Sequence, residues 1–392
     1  MNRSLLVAGG GIAGLAAAIG AGQAGWDAQV FEHAKAFGEV GAGLQLGPNA
    51  TRVLRDWGLL DRPELRAFEP ARLRVRDAVD DRELGCLRLG ARARDEYGAP
   101  YLTLHRADLH AALLAAAQAQ GVRLHAGVRI ASVHSSDASV HAHIDDDGAT
   151  LVEAEAVAVA DGVWSTLREQ LVEDGPAPPT GHVAYRALLP MAMLDASLRG
   201  DEVQAWLGPS MHLVCYPVRG GEALNVAGFV QGRADAGWDQ ATRADALRAV
   251  ARTLCTGLQA VVEAVETWTL WPVHDRPPVR SAGEMVRGRA VLLGDAAHPM
   301  RPYLAQGAGM ALEDAAELQR MLRLCEGSAI DVPAALRRYA LNRFERCARV
   351  QRRSRRNGVI FHADGALRWA RNTGMRMLGE RLLDLPWLYR GA

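Results

Sequence analysis

Three spacings in this chain are able to carry chemistry. The first is Gly9, Gly11 and Gly14, a G-x-G-x-x-G that follows the apolar run "SLLVA" and opens "IAGLAAAIGAG". The first glycine permits a tight turn and the second lets the backbone approach a pyrophosphate. The third lets a helix lie close to its strand. The N–H groups of that helix entrance face the phosphates. Glu32 closes the next apolar run, where an acid accepts hydrogen bonds from a ribose diol. The context makes this a dinucleotide loop and leaves open which dinucleotide.

The second spacing lies near the other end, in "VLLGDAAHPMRPYLAQGAGM" (291–310). A short strand delivers Asp295 to its C-terminal edge, where ligands of open α/β sheets sit. An acid there suits a polyol chain. A helix then opens near Gly307, Ala308 and Gly309 with its N-terminus bare. Small residues let a flat ring approach, and the helix dipole favours negative charge there. One FAD spans both motifs: ADP on the first loop, ribityl chain at Asp295, flavin before the second helix. A nicotinamide dinucleotide has no need of the second site.

The third spacing is "SMHLVCYPVRGG" (210–221). In a strand, residues two apart share a face, so His212, Val214 and Tyr216 point one way and Met211, Leu213 and Cys215 the other. A histidine and a tyrosine on one face, with a branched aliphatic between, suit a flat ring, and imidazole can take a proton near neutrality. On residue types alone, a satisfied core histidine explains the pattern better.

The elements that must position these groups follow from periodicity. "SLLVAGGGIAGLAAAIGAGQAG" and "DAQVFEHA" read as strand, helix, strand. Residues 39–60 give a Gly-rich loop and a short amphipathic helix starting at Pro48-Asn49. Residues 71–90 alternate as antiparallel strands, and "HRADLHAALLAAAQAQG" is a helix. The stretch from 122 to 162 reads as a β-meander with turns at Ser-Asp and Asp-Gly clusters. Strands occupy 182–230 and 285–294; helices occupy 241–266, 306–325 and most of the chain from 333. Parallel-type units at both ends with antiparallel strands between them predict an α/β fold: an FAD-binding Rossmann-like domain interrupted by a β-sheet substrate domain, then a helical C-terminal region. The expected boundaries are 1–70, 101–178 and 276–330 for FAD, 71–100 and 179–275 for substrate, and 331–392 for the helical region. The Arg-rich run 343–358 reads as the solvated face of a long helix, and the last residues as a docked terminal helix.

Composition narrows the function. The chain has 392 residues, 49% hydrophobic and 23% charged, with zero formal net charge. No global field favours nucleic acid. No run is apolar for the roughly 20 residues a membrane span needs. Five widely spaced cysteines without a CxxC argue against disulfides and metal sites, and for a cytoplasmic setting.

Four stretches carry a resemblance: "GGGIAGL" (9–15), "GAGLQLGPNA" (41–50), "ADGVWSTLR" (160–168) and "GDAAHPMRPYLAQGAGMALEDA" (294–315). The chain resembles the single-component flavin-dependent aromatic hydroxylases, class A flavoprotein monooxygenases with a p-hydroxybenzoate hydroxylase-like fold. Within them it is most similar to the branch of 3-hydroxybenzoate 6-hydroxylases, salicylate hydroxylases and 6-hydroxynicotinate 3-monooxygenases. The resemblance implies FAD as cofactor, NADH or NADPH as transient electron donor, and oxygen added to reduced flavin as a hydroperoxide. It implies a small aromatic substrate and suggests a homodimer. It places Asp161 and Gly162 near FAD and nicotinamide, Arg106 along FAD, and His212 with Tyr216 in the active site, His212 as base. Arg186 then organises the site between the domains, and Gln45 sits in the loop covering the flavin. Tyr101 and Thr103, two apart, line the pocket or simply pack. Arg301 and Tyr303 lie beside the flavin, with Arg301 either attracting an anion or solvated, and His298 shapes the turn with Pro299.

Departures from the family's patterns bear on substrate. Nicotinate-type members carry histidines where this chain has Gln45 and Tyr303, and the 3-hydroxybenzoate type a glutamine where it has Pro302. The expected substrate is therefore a phenolic or N-heteroaromatic acid, with a neutral phenol, a quinolone or decarboxylating hydroxylation left open. Two alternatives stand beside it: a flavin monooxygenase acting on a non-aromatic or polyketide-like substrate, and a non-catalytic FAD-binding protein. A halogenase is disfavoured because "WTLW" (268–271) does not supply W-x-W-x-I-P.

Overall fold

The computed structural model describes residues 3–38, 41–145, 150–232, 240–242, 244–326 and 329–391. The expected Asp-Gly turn at 147–148 lies outside them. The chain opens with β1 (Ser4–Ala8), α1 (Ile12–Gln23) and β2 (Asp27–Glu32), the predicted nucleotide unit, with β1 and β2 parallel. Next come β3 (Gly43–Leu46), α2 (Pro48–Asp56), β4 (Arg72–Asp77), β5 (Glu83–Arg88) and α3 (Gly90–Tyr97). They are followed by β6 (Leu102–His105), α4 (Arg106–Ala119), β7 (Arg123–Ala126), β8 (Arg129–Ser135), β9 (Val140–Asp145), β10 (Leu151–Ala154), β11 (Ala156–Val159) and α5 (Thr166–Val172). The middle of the chain supplies β12 (Pro179–Pro190), β13 (Val203–Gly208), β14 (Met211–Val218), β15 (Ala223–Gln231), β16 (Gln240–Thr242), α6 (Asp245–Ala251), α7 (Thr256–Glu263) and β17 (Trp268–His274). The last part holds β18 (Val286–Arg287), β19 (Ala290–Leu292), α8 (Gly294–Ala297), α9 (Gly307–Arg323), α10 (Val332–Phe361), α11 (Gly365–Leu378), α12 (Glu380–Leu383) and α13 (Pro386–Tyr389).

Two large sheets organise these elements. The first has the order β18-β19-β11-β1-β2-β7 and is parallel from β19 to β7. Its central strands are continuous apolar runs, as a sheet covered on both faces requires; Leu5, Leu6, Val7 and Val157 to Val159 have no exposed surface. The second, of eight strands, runs β16-β17-β12-β15-β14-β13-β4-β5. One face of it packs on α6 and α7 through Met211, Leu213, Cys215, Leu247 and Leu258. The meander expected over 122–162 is smaller than predicted. Only β8, β9 and β10 form it, while β7 and β11 join the parallel sheet. A four-residue strand such as β11 ("AVAV") carries no period, so its sequence cannot say which sheet receives it.

The Arg-rich run is also not simply a solvated face. Arg343 is fully buried, Arg346 binds Glu313, Arg355 binds Asp275, and the Arg349 guanidinium lies 4.1 Å over the Trp387 ring. The terminal segment docks as expected, with Leu388 and Tyr389 buried. Among the described residues, no helix is long and apolar enough to cross a membrane.

Candidate active site

The glycine-rich loop is built by contact rather than by flexibility alone. Gly9 has φ of 100°, and a Cβ there would stand 2.5 Å from the Ala160 carbonyl oxygen. A Cβ on Gly14 would collide with the Gly9 carbonyl. The loop is thus pressed against the 160s segment on one side and its own helix on the other. Glu32 accepts from the Gly10 N–H (2.7 Å) and the Ala34 N–H (2.8 Å), which orients its carboxylate at the loop. The first turn of α1 carries no side-chain cap among the described residues, so its N–H groups are left for a ligand. Asp161 lies beside Gly9. Its Oδ1 is buried without a protein partner, and burial pushes its carboxyl above the ordinary range. An orphaned buried acceptor beside an anion-binding loop fits the polar chain of a dinucleotide.

The second motif is joined to the first. Gly294 has φ of 56°, and a Cβ there would meet Ala13 of α1 at 2.8 Å. The turn of α8 then presents Asp295 at the surface, with Gly307 near its carboxylate. Helix α9 starts behind Gln306 with no side-chain cap among the described residues, the bare entrance that the sequence predicts. Small residues and a free helix N-terminus here fit the flat, electron-rich end of FAD.

Beneath this turn lies a buried ionic network that the sequence did not reveal. Asp314 accepts from His298 (2.6 Å), the Gly294 N–H (2.9 Å) and Arg343 (2.8 Å). Arg343 also holds Glu313, which takes Arg346 and Asn49; Asn49 in turn donates to Gln306 at the α9 entrance. His298, Asp314 and Cys347 are close enough for a shared metal ion. The Arg343 guanidinium already neutralises Asp314, so the cluster is an ion-pair core. Burial alone lowers the His298 pKa, but the Asp314 carboxylate outweighs it and holds the imidazole well above its usual value. On the far side, Arg168 donates to the carbonyls of Ala296 (2.9 Å) and Ala297 (2.6 Å) while Asp174 holds its other edge. Arg168 therefore ties the 160s segment to the Asp295 turn.

The other face of the eight-stranded sheet meets β3, the Tyr303 turn and the end of α10. Across this face, His212 pairs with Phe229 and Phe229 with Ala184; Val214 pairs with Ala227 and Ala227 with Arg186; Tyr216 pairs with Asn225. Val214, Ala227 and Arg186 are partly exposed, whereas His212 and Tyr216 to either side are buried. This makes a floor walled by two polar aromatic groups, and Arg186 lies on it with its guanidinium 5.3 Å from the Trp271 ring. Burial first, and the neighbouring Arg106 charge second, pull the Arg186 pKa down to about 10, although it remains a cation at neutral pH.

At one wall, Gln45 accepts from Tyr101 (2.8 Å) and also hydrogen-bonds Tyr216. Burial raises both phenol pKa values. Gly43 brings β3 against this group, since a Cβ would lie 2.5 Å from Asn225 and 2.7 Å from Tyr216. At the other wall, His212 stacks on Phe229 (centroids 4.6 Å, 11°) and meets Tyr303 edge-on at 4.9 Å. Its Nδ1 is 2.7 Å from Nε2 of His362. Burial first, then His362 and His182, keep its pKa well below 6.5, so the ring is neutral at neutral pH.

Not every expected residue faces this floor. Thr103 is fully buried and donates to the Pro217 carbonyl (2.5 Å), so it packs β6 on β14. Arg301 is partly exposed and its Nε donates to Asp275 (3.0 Å), which also accepts from Arg355. Cys215 points to the helices, as expected, and burial lifts its thiol to about 12. All five cysteines are free. His182 and His362, missed in the sequence, arrive from β12 and the end of α10.

Comparison with known proteins agrees with this architecture. The model of the family described as "FAD binding domain" matches residues 3–354. The 3-hydroxybenzoate 6-hydroxylase of Polaromonas naphthalenivorans (strain CJ2) is 37% identical over 389 residues, 98% of this chain and 95% of the relative. The 6-hydroxynicotinate 3-monooxygenase of Bordetella bronchiseptica (strain ATCC BAA-588 / NCTC 13252 / RB50) is 38% identical over 357 residues, 90% of this chain and 91% of the relative. Among solved structures, a salicylate hydroxylase substrate complex aligns with a TM-score of 0.83 at 25% identity, covering 100% of this chain and 96% of that one. Two glycine-lined FAD motifs joined through Gly294 and Arg168, and similarity along almost the whole chain, lead to one assignment: this protein belongs to the FAD-dependent monooxygenases of the aromatic hydroxylase family.

Proposed function

We propose that the chain hydroxylates a phenolic or N-heteroaromatic ring bearing a carboxylate, using electrons from NADH or NADPH. The observation that carries this reading is the partly exposed floor of Val214, Ala227 and Arg186 between buried His212 and Tyr216. A flat ring laid there meets a neutral imidazole at one end, a phenol at the other, and a cation that pairs with a carboxylate. The relatives named above, and the 3-amino-4-hydroxybenzoate 2-monooxygenase of Streptomyces cremeus (36% identical), act by name on rings that carry both a hydroxyl and a carboxylate.

Bound FAD, once reduced, supplies an oxygen atom from O2 to the ring. The protein's own residues do the rest. Gly9, Gly11, Gly14, Glu32, Arg106, Asp161 and Gly162 hold the dinucleotide, with Asp295, Gly307 and Ala308 at the ring end. His212 takes the phenol proton, raising electron density ortho and para to the oxygen. Tyr216 and Gln45 fix the ring's edge, with Tyr101 behind them and Tyr303 closing the histidine wall. A division into an FAD-binding domain, a substrate-binding domain and a helical C-terminal region at the expected boundaries, a cytoplasmic setting and a homodimer belong to the same reading.

The test is anaerobic. The purified flavoprotein is mixed with NADH or NADPH, and loss of oxidised-flavin absorbance is followed with hydroxybenzoates, hydroxypyridines and quinolones. One ring acid should accelerate reduction strongly and be hydroxylated when oxygen is admitted. Bound flavin whose reduction no ring acid changes would overturn the reading in favour of a non-aromatic substrate or a non-catalytic protein.

A further inference from the structure

His362 stands directly behind His212, at the end of α10, 150 residues away in sequence. Both rings are buried, at 8% and 1% exposure. The N–N separation of 2.7 Å means that the two imidazoles share one hydrogen. If it sits on His212 Nδ1, then His212 Nε2 is bare and can act as a base. If it sits on His362 Nε2, a neutral His212 carries its hydrogen on Nε2 and can only donate. The state of His362 thus fixes the tautomer of His212. The far nitrogen of His362, Nδ1, is buried without a protein partner. His182 packs against His362 with ring centroids 5.1 Å apart and tilted by 50°; it is only half-buried, although its own Nδ1 is likewise buried without a protein partner.

We propose that His362 is a positioning residue that serves as the proton exit for His212, with His182 as the next link toward solvent. The proposal rests on His212 being the base. The phenol O–H breaks as a bond forms to His212 Nε2. The hydrogen on His212 Nδ1 passes to His362 Nε2, and the hydrogen on His362 Nδ1 leaves toward His182. The net result is a phenolate held by the His212 Nε2–H and one proton released, with neither imidazole left charged.

The surroundings suit a conduit rather than a store. The groups facing the pair are His182 on β12, Tyr303 and Arg301 in the turn before α9, and Arg371 on α11. No carboxylate among the described residues hydrogen-bonds either imidazole; Asp275, which acts on His182, is engaged by Arg301 and Arg355, and Asp77 is engaged by Arg371. Burial, His182 and the two arginines depress the His362 pKa to about 3. A proton arriving there is passed on.

A nitro-substituted hydroxybenzoate serves as probe, because its phenolate absorbs visible light. Ionisation after mixing with the FAD-loaded protein is followed by stopped flow across pH. His362→Gln should retain FAD, melting temperature and probe affinity, yet ionise the probe roughly tenfold or more slowly. Added small buffer should restore part of the rate. His182→Gln, at a half-buried position, should slow the same step less. A His362→Gln protein with wild-type rate and pH profile overturns the proposal, as does a rate that His212→Gln leaves unchanged. Wild-type protein that binds the probe without ionising it would instead remove the phenol-activating function itself. Should His362→Gln lose its fold, His182→Gln decides alone, and an unchanged rate there overturns the exit path.

Discussion

His298 and Asp314 form an ion pair in which neither side chain has exposed surface, with Nε2 and Oδ2 2.6 Å apart. Arg343 occupies the other carboxylate oxygen at 2.8 Å. Replacing Asp314 leaves the buried His298 imidazolium without a carboxylate and Arg343 with Glu313 alone. Asp314→Asn should therefore destabilise the protein by about 3–5 kcal/mol and lower its FAD content, because Asp314 also accepts the Gly294 N–H of the flavin-side turn. Urea unfolding and flavin absorbance measure both.

The same pair sets a pH window. The His298 pKa is raised, so its contribution is complete below the unfolded value, about 6.5, and is lost as pH rises through the folded value. For Asp314, burial works upward but His298 and Arg343 outweigh it and the pKa is lowered. Its contribution is present above about 4 and is lost as pH falls through the folded value. Unfolding free energy plotted against pH should fall toward both ends, and less steeply in Asp314→Asn.

His212→Gln should reduce kcat by about 10²–10⁴ with FAD retained. Because burial, His362 and His182 hold the His212 pKa well below 6.5, the neutral base persists into mild acid. The acid limb of kcat/KM in the wild type should consequently lie below pH 6.5. A limb centred at or above that value would assign the proton to another group.

Gly43→Ala tests the other wall. Its Cβ would sit 2.5 Å from Asn225 and 2.7 Å from Tyr216, and the Gly43 N–H already donates to Asn225 at 2.6 Å. Overpacking of this kind costs about 1–3 kcal/mol. The expected outcome is a KM raised roughly tenfold with flavin content intact, read by steady-state kinetics.

Asp77 clasps the C-terminal region to the large sheet. It is fully buried and binds Arg368 (2.6 Å), Arg371 (3.1 Å) and Asn372 (2.6 Å) of α11. Burial works upward, but these hydrogen bonds hold its carboxyl down at about 2. The stability it gives is present above its unfolded pKa of about 4 and disappears as pH drops toward 2. Asp77→Asn should expose the amides of 365–378 to hydrogen exchange at neutral pH, as strong acid does to the wild type. Mobility there reaches His362, so hydroxylation should slow as well.

The geometry of both glycine-lined motifs was legible in the sequence because each is local: a strand, glycines whose missing Cβ admits a neighbour, and a helix entrance. The alternation around His212 and Tyr216 was legible for the same reason, and Cys215 faces the helices as its parity requires. What lies across the fold was not legible. His362 meets His212 because the end of α10 folds back on β14, where the Ser210 N–H donates to the His362 carbonyl. Arg343 looked like one charge in a solvated row until Glu313 and Asp314 from α9 closed on it. Thr103 was a pocket candidate until β6 met Pro217. The strands β7 and β11 are four residues each, too short to carry the two-residue period that separates one sheet from another.

The parallel sheet collects strands from residue 4 to residue 292. Its central strand β1 is made long before the partners β11 and β19 that carry the sheet to Asp295. At about 5–20 residues per second, roughly 15–60 s separate the appearance of the first glycine loop from that of the flavin-side helix entrance. During that interval the nascent β1–α1–β2 unit has an unpaired apolar edge and half a binding site. Both ends of one flavin dinucleotide can therefore be held only once the α9 entrance at Gly307 has been made, well after β1, α1 and β2 have left the ribosome.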